Sequence, residues 1–421
     1  MSTLTRPRPV TPLRTAARPL RVLHLVGRMT CGGVQMRTLE LYRKLDRARL
    51  RFDFCALSGL AAELDEHARA LGGRVHHLAQ SRPGFARRFR ELLVREGYDV
   101  VHGHLHYLSG YPLKLARECG VPTRVAHFRS SRPDPVPGVR RRLVRLLLRP
   151  WIEQYAGNRV QRRWIERHAT HVLGVSRWAL TCAMGGDWAS DPRCRVIYDG
   201  LDPAAFRDPA DRQGVRGEFG VPGDAAIFIH VGRMTPAKNH PRVASIFVEA
   251  VRRLPGARLL LVGREDEVIG RRVRRQVGAR GIADRVVFAG ERLDVPRLVR
   301  AADALIFPSL WEGLGDVVLE AAAAGTPAVC SDLPSIREIA EHLPGIERLS
   351  LAEPDARWAD RLVAAATNPP DEATRKAALA RFSESVFHFD RSAAALCAIW
   401  GAPEACPFPS SYSQAEGAGD G

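Results

Sequence analysis

The stretch that decides the fold runs from residue 21 to residue 45, Arg21-Val-Leu-His-Leu-Val-Gly-Arg-Met-Thr-Cys-Gly-Gly-Val-Gln-Met-Arg-Thr-Leu-Glu-Leu-Tyr-Arg-Lys-Leu45. Its first six residues, four of them Val or Leu, predict a short buried strand, and Gly27 to Gly33 predict a glycine loop. From Val34 onward, apolar residues recur at helical spacing. Strand, glycine loop and helix in this order open a sheet with ligands at its carboxyl edge.

The same alternation continues along the chain and predicts two similar domains. Strands are expected at 52–57, 74–78, 100–104 and 123–128, with helices at 61–70, 85–96 and 110–119 between them. A second series begins with a strand at 226–231 and a helix at 240–253, and ends with a helix at 316–324 and a strand at 327–330. Alternation of this type builds doubly wound parallel sheets, so the fold class is α/β.

The length of 421 residues agrees with two domains, because one hydrophobic core seldom grows beyond about 250–300 residues. We expect a disordered basic arm at 1–20, a first domain at 21–203, a linker at 204–224, a second domain at 225–402 and a disordered tail at 403–421. Hydrophobic residues make up 45% and charged residues 26%, which excludes a disordered or collagen-like chain. No apolar run approaches the roughly 18 residues that a membrane span requires.

The net charge of +17 is concentrated in the first half of the chain. Residues 1–200 hold 36 Lys and Arg against 16 Asp and Glu, while the remainder holds 27 against 30. A positive electrostatic field of this kind favours binding of nucleic acid, an anionic membrane face or a diphosphate-linked substrate. A generally arginine-rich composition would also produce it.

The eight cysteines and the amino terminus indicate a cytoplasmic protein. The cysteines show no CxxC or zinc-like spacing, so we expect reduced thiols. The first twenty residues lack the apolar core of a secretory signal, while their composition also resembles an organelle transit peptide.

Two segments of the second half carry candidate chemistry. In the first, Gly232 ends a strand and Arg233 and Lys238 follow it, two cations able to clamp a diphosphate. In the second, Glu312 lies in a glycine loop and Glu320 in the helix that begins near Gly315. Loop amides and the helix dipole favour phosphate there, and the two carboxylates could accept hydrogen bonds from sugar hydroxyls.

Together these motifs resemble family 4 of the retaining glycosyltransferases, in particular the branch that makes exopolysaccharide and capsule. The resemblance spans residues 21 to 400 and is most specific at the paired glutamates with the Arg and Lys loop. The matching motifs are Gly32-Gly33, Val101-His102-Gly-His104, His127, Val196 to Asp202, Gly232-Arg233, Lys238-Asn239, and Glu312 with Glu320.

The resemblance implies a GT-B fold of two facing Rossmann-like domains and a role for each matching residue. Arg233 and Lys238 would bind the donor diphosphate, Glu320 the ribose hydroxyls and Glu312 the transferred sugar. His127 would line the sugar site near the acceptor. The remaining donor-site residues would be Gly32, Gly33, Gly232, Gly313, Leu314 and Gly315.

The resemblance also implies retention without a protein nucleophile, and no metal or other cofactor. The implied donor is a nucleotide-sugar, expected to be a UDP-sugar, and the implied acceptor is lipid-linked or a polysaccharide. Two positions depart from the family pattern. Asp316 stands where proline is usual, and Asp199 precedes Gly200 where asparagine is usual.

The alternative functions are a nucleotide-sugar epimerase of the same fold and a basic protein that binds nucleic acid or membrane. Nucleic acid is disfavoured, because no aromatic stacking platform accompanies the arginines.

Two further clusters of residues each have more than one interpretation. His102, His104 and His106 alternate as they would on one face of a strand, but no carboxylate follows closely, so we expect no zinc site. A segment near residue 145 combines arginines with leucines and a tryptophan, as in a helix lying on a membrane surface or a core helix with a solvated face. Its candidate membrane or acceptor contacts are Arg141, Arg142, Arg145, Arg149 and Trp151.

Overall fold

The computed structural model describes residues 18–131 and 149–408 and contains two parallel sheets, each flanked by helices. The first sheet has seven strands in the order β3-β2-β1-β4-β5-β6-β7. These strands are β1 (Leu20–Val26), β2 (Leu50–Ala56), β3 (Val75–His77), β4 (Val100–Gly103), β5 (Thr123–Phe128), β6 (His171–Gly174) and β7 (Cys194–Val196). Its helices are α1 (Gly33–Lys44), α2 (Asp65–Ala70), α3 (Phe85–Glu96), α4 (Gly110–Glu118), α5 (Arg149–His168) and α6 (Arg177–Met184).

The second sheet has six strands in the order β10-β9-β8-β11-β12-β13. These strands are β8 (Ile227–Val231), β9 (Arg258–Val262), β10 (Val286–Gly290), β11 (Ala304–Phe307), β12 (Ala328–Ser331) and β13 (Ile346–Leu349). The helices that follow α6 are α7 (Arg212–Phe219), α8 (His240–Arg253), α9 (Glu267–Gly278), α10 (Val295–Ala301), α11 (Asp316–Ala324), α12 (Pro334–His342), α13 (Asp355–Thr367), α14 (Glu372–Glu384) and α15 (Phe389–Trp400).

Both strand orders place the crossover point beside the first strand of each domain. Strand β1 pairs with β2 on one side and β4 on the other, and β8 pairs with β9 and β11. The loops after these strands therefore border the crevice at the carboxyl edge of each sheet, where ligands bind in such folds. No helix among the described residues is long and apolar enough to cross a membrane.

The last helix, α15, was predicted to belong to the second domain, which was expected to end at residue 402, but it packs on the first domain. Helix α15 packs on the first sheet, where the ring of Trp400 meets that of Phe52 edge-on at 5.2 Å. The apolar face of α15 is helical in period, but spacing alone does not say which sheet it covers. Residues 403–408, predicted to belong to a disordered tail, also pack here: Ala405 is buried and Phe408 contacts Phe389.

The predicted linker at 204–224 contains helix α7, whose Val215 is buried in the core of the second domain. The chain crosses between the domains twice, and the two crossings are hydrogen-bonded to each other. The amide of Leu201 donates to the carbonyl of Phe387 (3.0 Å), and the amide of Phe389 donates to the carbonyl of Leu201 (3.1 Å). Gly200 is required at this point, since a Cβ there would lie 2.7 Å from the Cα of Phe389.

Candidate active site

The two domains meet through the loops that follow β5 and β11. Gly313 is buried against the backbone of the first domain, and a Cβ at this position would lie 2.4 Å from the carbonyl oxygen of Arg129. The hydroxyl of Ser176 donates to the carbonyl of Gly313 (2.5 Å), and that of Ser131 donates to the carbonyl of Glu312. The backbone of the loop that carries Glu312 is therefore held by two serine hydroxyls and by the close approach of Arg129, all from the opposite domain.

Lys238 and Glu312 were predicted to bind different parts of the donor. In the structure they form an ion pair with each other. Lys238 Nζ lies 2.7 Å from Glu312 Oε1 and 4.6 Å from the centre of the Phe307 ring. The stem of Lys238 lies against Gly232, where a Cβ would come within 3.0 Å of it. Arg233 follows Gly232 in the chain and is exposed. The structure thus brings one of the two predicted cations, Lys238, into contact with the first glutamate.

Glu320 lies on α11, whose first turn begins after Gly315. Gly315 adopts a positive φ of 108°, and a Cβ there would lie 2.9 Å from the side chain of Ile336. Burial raises the pKa of Glu320 to about 7; the guanidinium of Arg37 lowers it, while Asp316 and Glu40 raise it further. Glu320 is therefore a poorly solvated carboxyl group that needs a cation or a hydrogen-bond donor to stay ionised.

Gly32 and Gly33 place the amino terminus of α1 against that of α11. A Cβ on Gly33 would lie 2.9 Å from an oxygen of Asp316, the residue that stands where the family usually has proline. The two helix amino termini thus converge on the same carboxylate. Convergence of this kind favours negative charge between the helices.

His127 lies in a buried cluster on the face of the first sheet that α15 covers. Its side chain is 2% exposed, and its Nδ1 lies 3.2 Å from Nε2 of His102. Trp400 Nε1 donates to Nδ1 of His102 at 3.2 Å, and Nδ1 of His24 lies 3.0 Å from Nε2 of His104. Burial lowers the pKa of all four imidazoles, that of His24 to about 3, so they are neutral at physiological pH.

The histidine cluster differs from the predicted alternation of three residues. His106 lies on a short 3-10 helix with its ring edge-on to Phe128, and His24 of β1 stands in its place. Ring nitrogens of His24, His102 and His104 lie within 4.8 Å of one another. Since Trp400 donates to Nδ1 of His102, the proton of that neutral ring is on Nε2 and no lone pair is free for a metal. The absence of a metal stays a prediction.

Three residues that the sequence analysis did not assign complete the site. Arg37 Nη2 lies 2.9 Å from Glu320 Oε1, and Arg129 Nη2 lies 2.7 Å from Asp199 Oδ1. Burial raises the pKa of Asp199 to about 6, although Arg129 opposes this shift. Arg129 and Asp199, together with the histidine cluster, line a cavity of about 30 Å³, enough for a water molecule. Arg129 lies two residues after His127, at the end of a predicted strand. This position in the sequence is the signal that could have identified Arg129 as a site residue.

The basic segment remains largely undescribed. Arg141, Arg142 and Arg145 lie outside the described residues, and only the helical backbone of α5 is described at Arg149 and Trp151.

Comparisons with known proteins identify the family of the chain. A family model described as "Glycosyl transferases group 1" matches residues 225–368, and one described as "Glycosyl transferase 4-like domain" matches residues 32–187. The chain is 30% identical over 355 residues to the "Putative glycosyltransferase EpsF" of Bacillus subtilis, covering 82% of this chain and 88% of that protein. It is 24% identical to the "Capsular polysaccharide biosynthesis glycosyltransferase CapH" of Staphylococcus aureus, covering 77% and 84% of the two chains.

Among solved structures, the chain resembles Anabaena HepE in complex with UDP and glucose, with a TM-score of 0.73 and 18% identity over 91% of this chain and 99% of that one. It also resembles WaaG, a glycosyltransferase involved in lipopolysaccharide biosynthesis, with a TM-score of 0.66 and 16% identity over 88% and 98% of the two chains. At these identities the likeness concerns the fold.

Proposed function

The chain belongs to the group 1 glycosyltransferases, and from this premise we propose that it transfers a sugar from a UDP-sugar to a lipid-linked or polysaccharide acceptor in the synthesis of a cell-surface polysaccharide. The names of the EpsF and CapH relatives support the polysaccharide, and HepE supports UDP, since that protein was solved with it. A relative from Escherichia coli, 26% identical over 247 residues, is a "UDP-Gal:alpha-D-GlcNAc-diphosphoundecaprenol alpha-1,3-galactosyltransferase" and supports a lipid-linked acceptor.

The ion pair of Lys238 with Glu312 is the observation that carries the donor site. A diphosphate entering beside exposed Arg233 offers Lys238 a doubly charged partner, and the released Glu312 carboxylate becomes free to accept hydrogen bonds from the sugar. Charge-assisted bonds from Lys238 and Arg233 would then strengthen as negative charge grows on the leaving diphosphate. Glu320 would accept hydrogen bonds from the ribose hydroxyls. Contact of His127 with the sugar stays a prediction. In the structure the ring of His127 is enclosed by its neighbours.

The proposed reaction retains the configuration at the anomeric carbon. The bond from that carbon to the diphosphate oxygen breaks while a bond to the acceptor oxygen forms on the same face. The proton of the acceptor hydroxyl passes to the departing diphosphate oxygen, so no protein base is required. Glu312 and Glu320 are each paired with a cation from a neighbouring element, which suits binding better than nucleophilic attack.

The acceptor would approach from the first domain, which carries the basic surplus. A positive surface favours contact with an anionic membrane face, where a lipid-linked acceptor resides. We therefore propose a cytoplasmic enzyme that reaches its acceptor at the inner face of the membrane, with no partner nucleic acid.

Calorimetric titration with UDP and GDP tests the donor site. We expect micromolar binding of UDP to the unaltered protein and loss of binding in Lys238→Ala. The matched control is Lys114→Ala, which removes a lysine that pairs with Glu118 on α4, away from the cleft. Binding of neither nucleotide by the folded protein, or equal loss in both variants, contradicts the assignment. Conversion of the UDP-sugar without any acceptor would instead indicate an epimerase.

A further inference from the structure

Arg37 of the first domain contacts the carboxylate that the second domain offers to the donor. It lies in the second turn of α1, and its Nη2 is 2.9 Å from Glu320 Oε1, while its Nη1 is 2.9 Å from Glu40 Oε2. The side chains of Arg37 and Glu320 are 18% and 14% exposed. This ion pair joins residues 283 positions apart in the sequence, so it exists only when the two domains face each other as they do here.

The charges around Glu320 leave Arg37 as its cationic contact among the described residues. Glu40 faces it from α1 and Asp316 from its own helix, and both are carboxylates. The buried charged residues of the other helices packed on α11 have partners other than Glu320. Arg375 of α14 donates to the carbonyl of Ala324, Arg300 of α10 to that of Phe206, and Glu338 of α12 accepts from the amides of Arg177 and Trp178.

We propose that Arg37 is a positioning residue of the donor site, which holds the Glu320 carboxylate charged and oriented only while the domains are in contact. The inference rests on the proposed function, in which Glu320 accepts hydrogen bonds from the ribose. Its consequence is that nucleotide binding and contact between the domains favour each other.

The physical reason is the balance between burial and one guanidinium. Burial raises the pKa of Glu320 to about 7 even with Arg37 in place. Without Arg37, three carboxylates would share the site without that cation, and Glu320 would take up a proton at neutral pH. A neutral carboxylic acid is a weaker acceptor for a ribose hydroxyl than a carboxylate, so affinity would fall.

Nucleotide affinity measured from pH 6 to pH 9 tests this coupling. Because the pKa of Glu320 is raised to about 7, we expect the affinity of the unaltered protein for UDP to fall as the pH drops through about 7. In Arg37→Met the fall begins at higher pH, and a further rise of one pKa unit in Glu320 would lower affinity at pH 7 roughly fivefold, with recovery at pH 9. Arg37→Lys keeps a cation and restores most of the affinity at pH 7.

A double-mutant cycle separates this role from a general structural one. If Arg37 acts through Glu320, Arg37→Met has no further effect on UDP affinity in a Glu320→Gln background. A loss of the same factor at every pH, or losses that add in the double variant, would overturn the inference.

A nucleotide-free measurement keeps the inference separate from the proposed function. Hydrogen exchange of the amides at residues 33–37 and 316–320 should quicken in Arg37→Met and in Glu320→Gln to a similar extent, because either change releases the contact between the domains. Unchanged exchange in both variants overturns the inference. Failure of the unaltered protein to bind UDP overturns the proposed donor site, whatever the exchange shows.

Discussion

Trp400 and His102, 298 positions apart in the sequence, are joined by a hydrogen bond from the indole Nε1 to the imidazole Nδ1 at 3.2 Å. The bond ties the last helix, which follows the second domain, to the sheet of the first. It also places the proton of His102 on Nε2, from which it faces His127. The histidine cluster thereby belongs to the contact between the domains, and it also lines the cavity beside Arg129 and Asp199.

Replacement of Trp400 tests this joint. Trp400→Phe keeps an aromatic ring but leaves Nδ1 of His102 buried without a donor, which should lower the free energy of unfolding by about 1–3 kcal/mol. The matched change is Trp188→Phe, which removes a hydrogen bond to Thr181 at a half-buried site and should cost less than about 1 kcal/mol. Urea denaturation measures both, and equal losses would contradict a special role for Trp400.

Acid should destabilise the protein through the buried histidines. Their pKa values are lowered in the folded state, so below about 6.5 the unfolded chain binds protons that the folded chain does not, and stability falls as the pH drops. Each such proton contributes a slope of about 1.4 kcal/mol per pH unit. Glu320 and Asp199, whose pKa values are raised to about 7 and about 6, act in the opposite direction and offset part of it.

The measurement is urea denaturation between pH 7 and pH 5, followed by tryptophan fluorescence. His127→Gln should reduce the slope by up to one proton, whereas His67→Gln, at an exposed position of α2, should leave it unchanged. A stability that rises as the pH falls would contradict neutral burial of the cluster.

The close approach of Gly313 to Arg129 predicts that a methyl group separates the domains. In Gly313→Ala the added Cβ would stand 2.4 Å from a backbone oxygen that has little room to move, so the donor loop must shift. We expect transferase activity to fall at least tenfold, because small displacements of substrate-positioning groups are costly. Gly186→Ala, at an exposed position with no atom within 4 Å of the new Cβ, should retain full activity.

Both glycine variants should keep the far-ultraviolet circular dichroism of the unaltered protein. Full activity of Gly313→Ala would contradict the contact between the two loops.

The buried pair of Arg129 and Asp199 predicts a pH-dependent cost of mutation. Arg129→Met leaves Asp199 without its cation, which should lower stability by about 3 kcal/mol at pH 8. At pH 5 the loss should be smaller, since the pKa of Asp199 is raised to about 6 by burial and the carboxyl group is then mostly protonated even with Arg129 present. Denaturation at the two pH values measures the difference, and a pH-independent loss would contradict it.

The two-domain α/β architecture and the family could be predicted from the amino-acid sequence alone. Both predictions are confirmed, by the two parallel sheets and by the matches to known proteins. Helices 85–96 and 240–253 were predicted to the residue, because their periodic apolar faces end at Gly97 and after Arg253, and these are local signals. The spacing of Glu312 and Glu320 likewise lies within a single loop and helix.

The contacts of those residues, in contrast, depend on tertiary packing. The partner of Glu320 is Arg37, the histidine cluster needs His24 and Trp400, and α15 covers the first sheet instead of the second. These relationships join residues separated by between 80 and 376 positions along the chain. Hydrophobic periodicity and turn residues are local signals that report on one or two helical turns of the chain. These pairings depend instead on how the two sheets and helix α15 pack together.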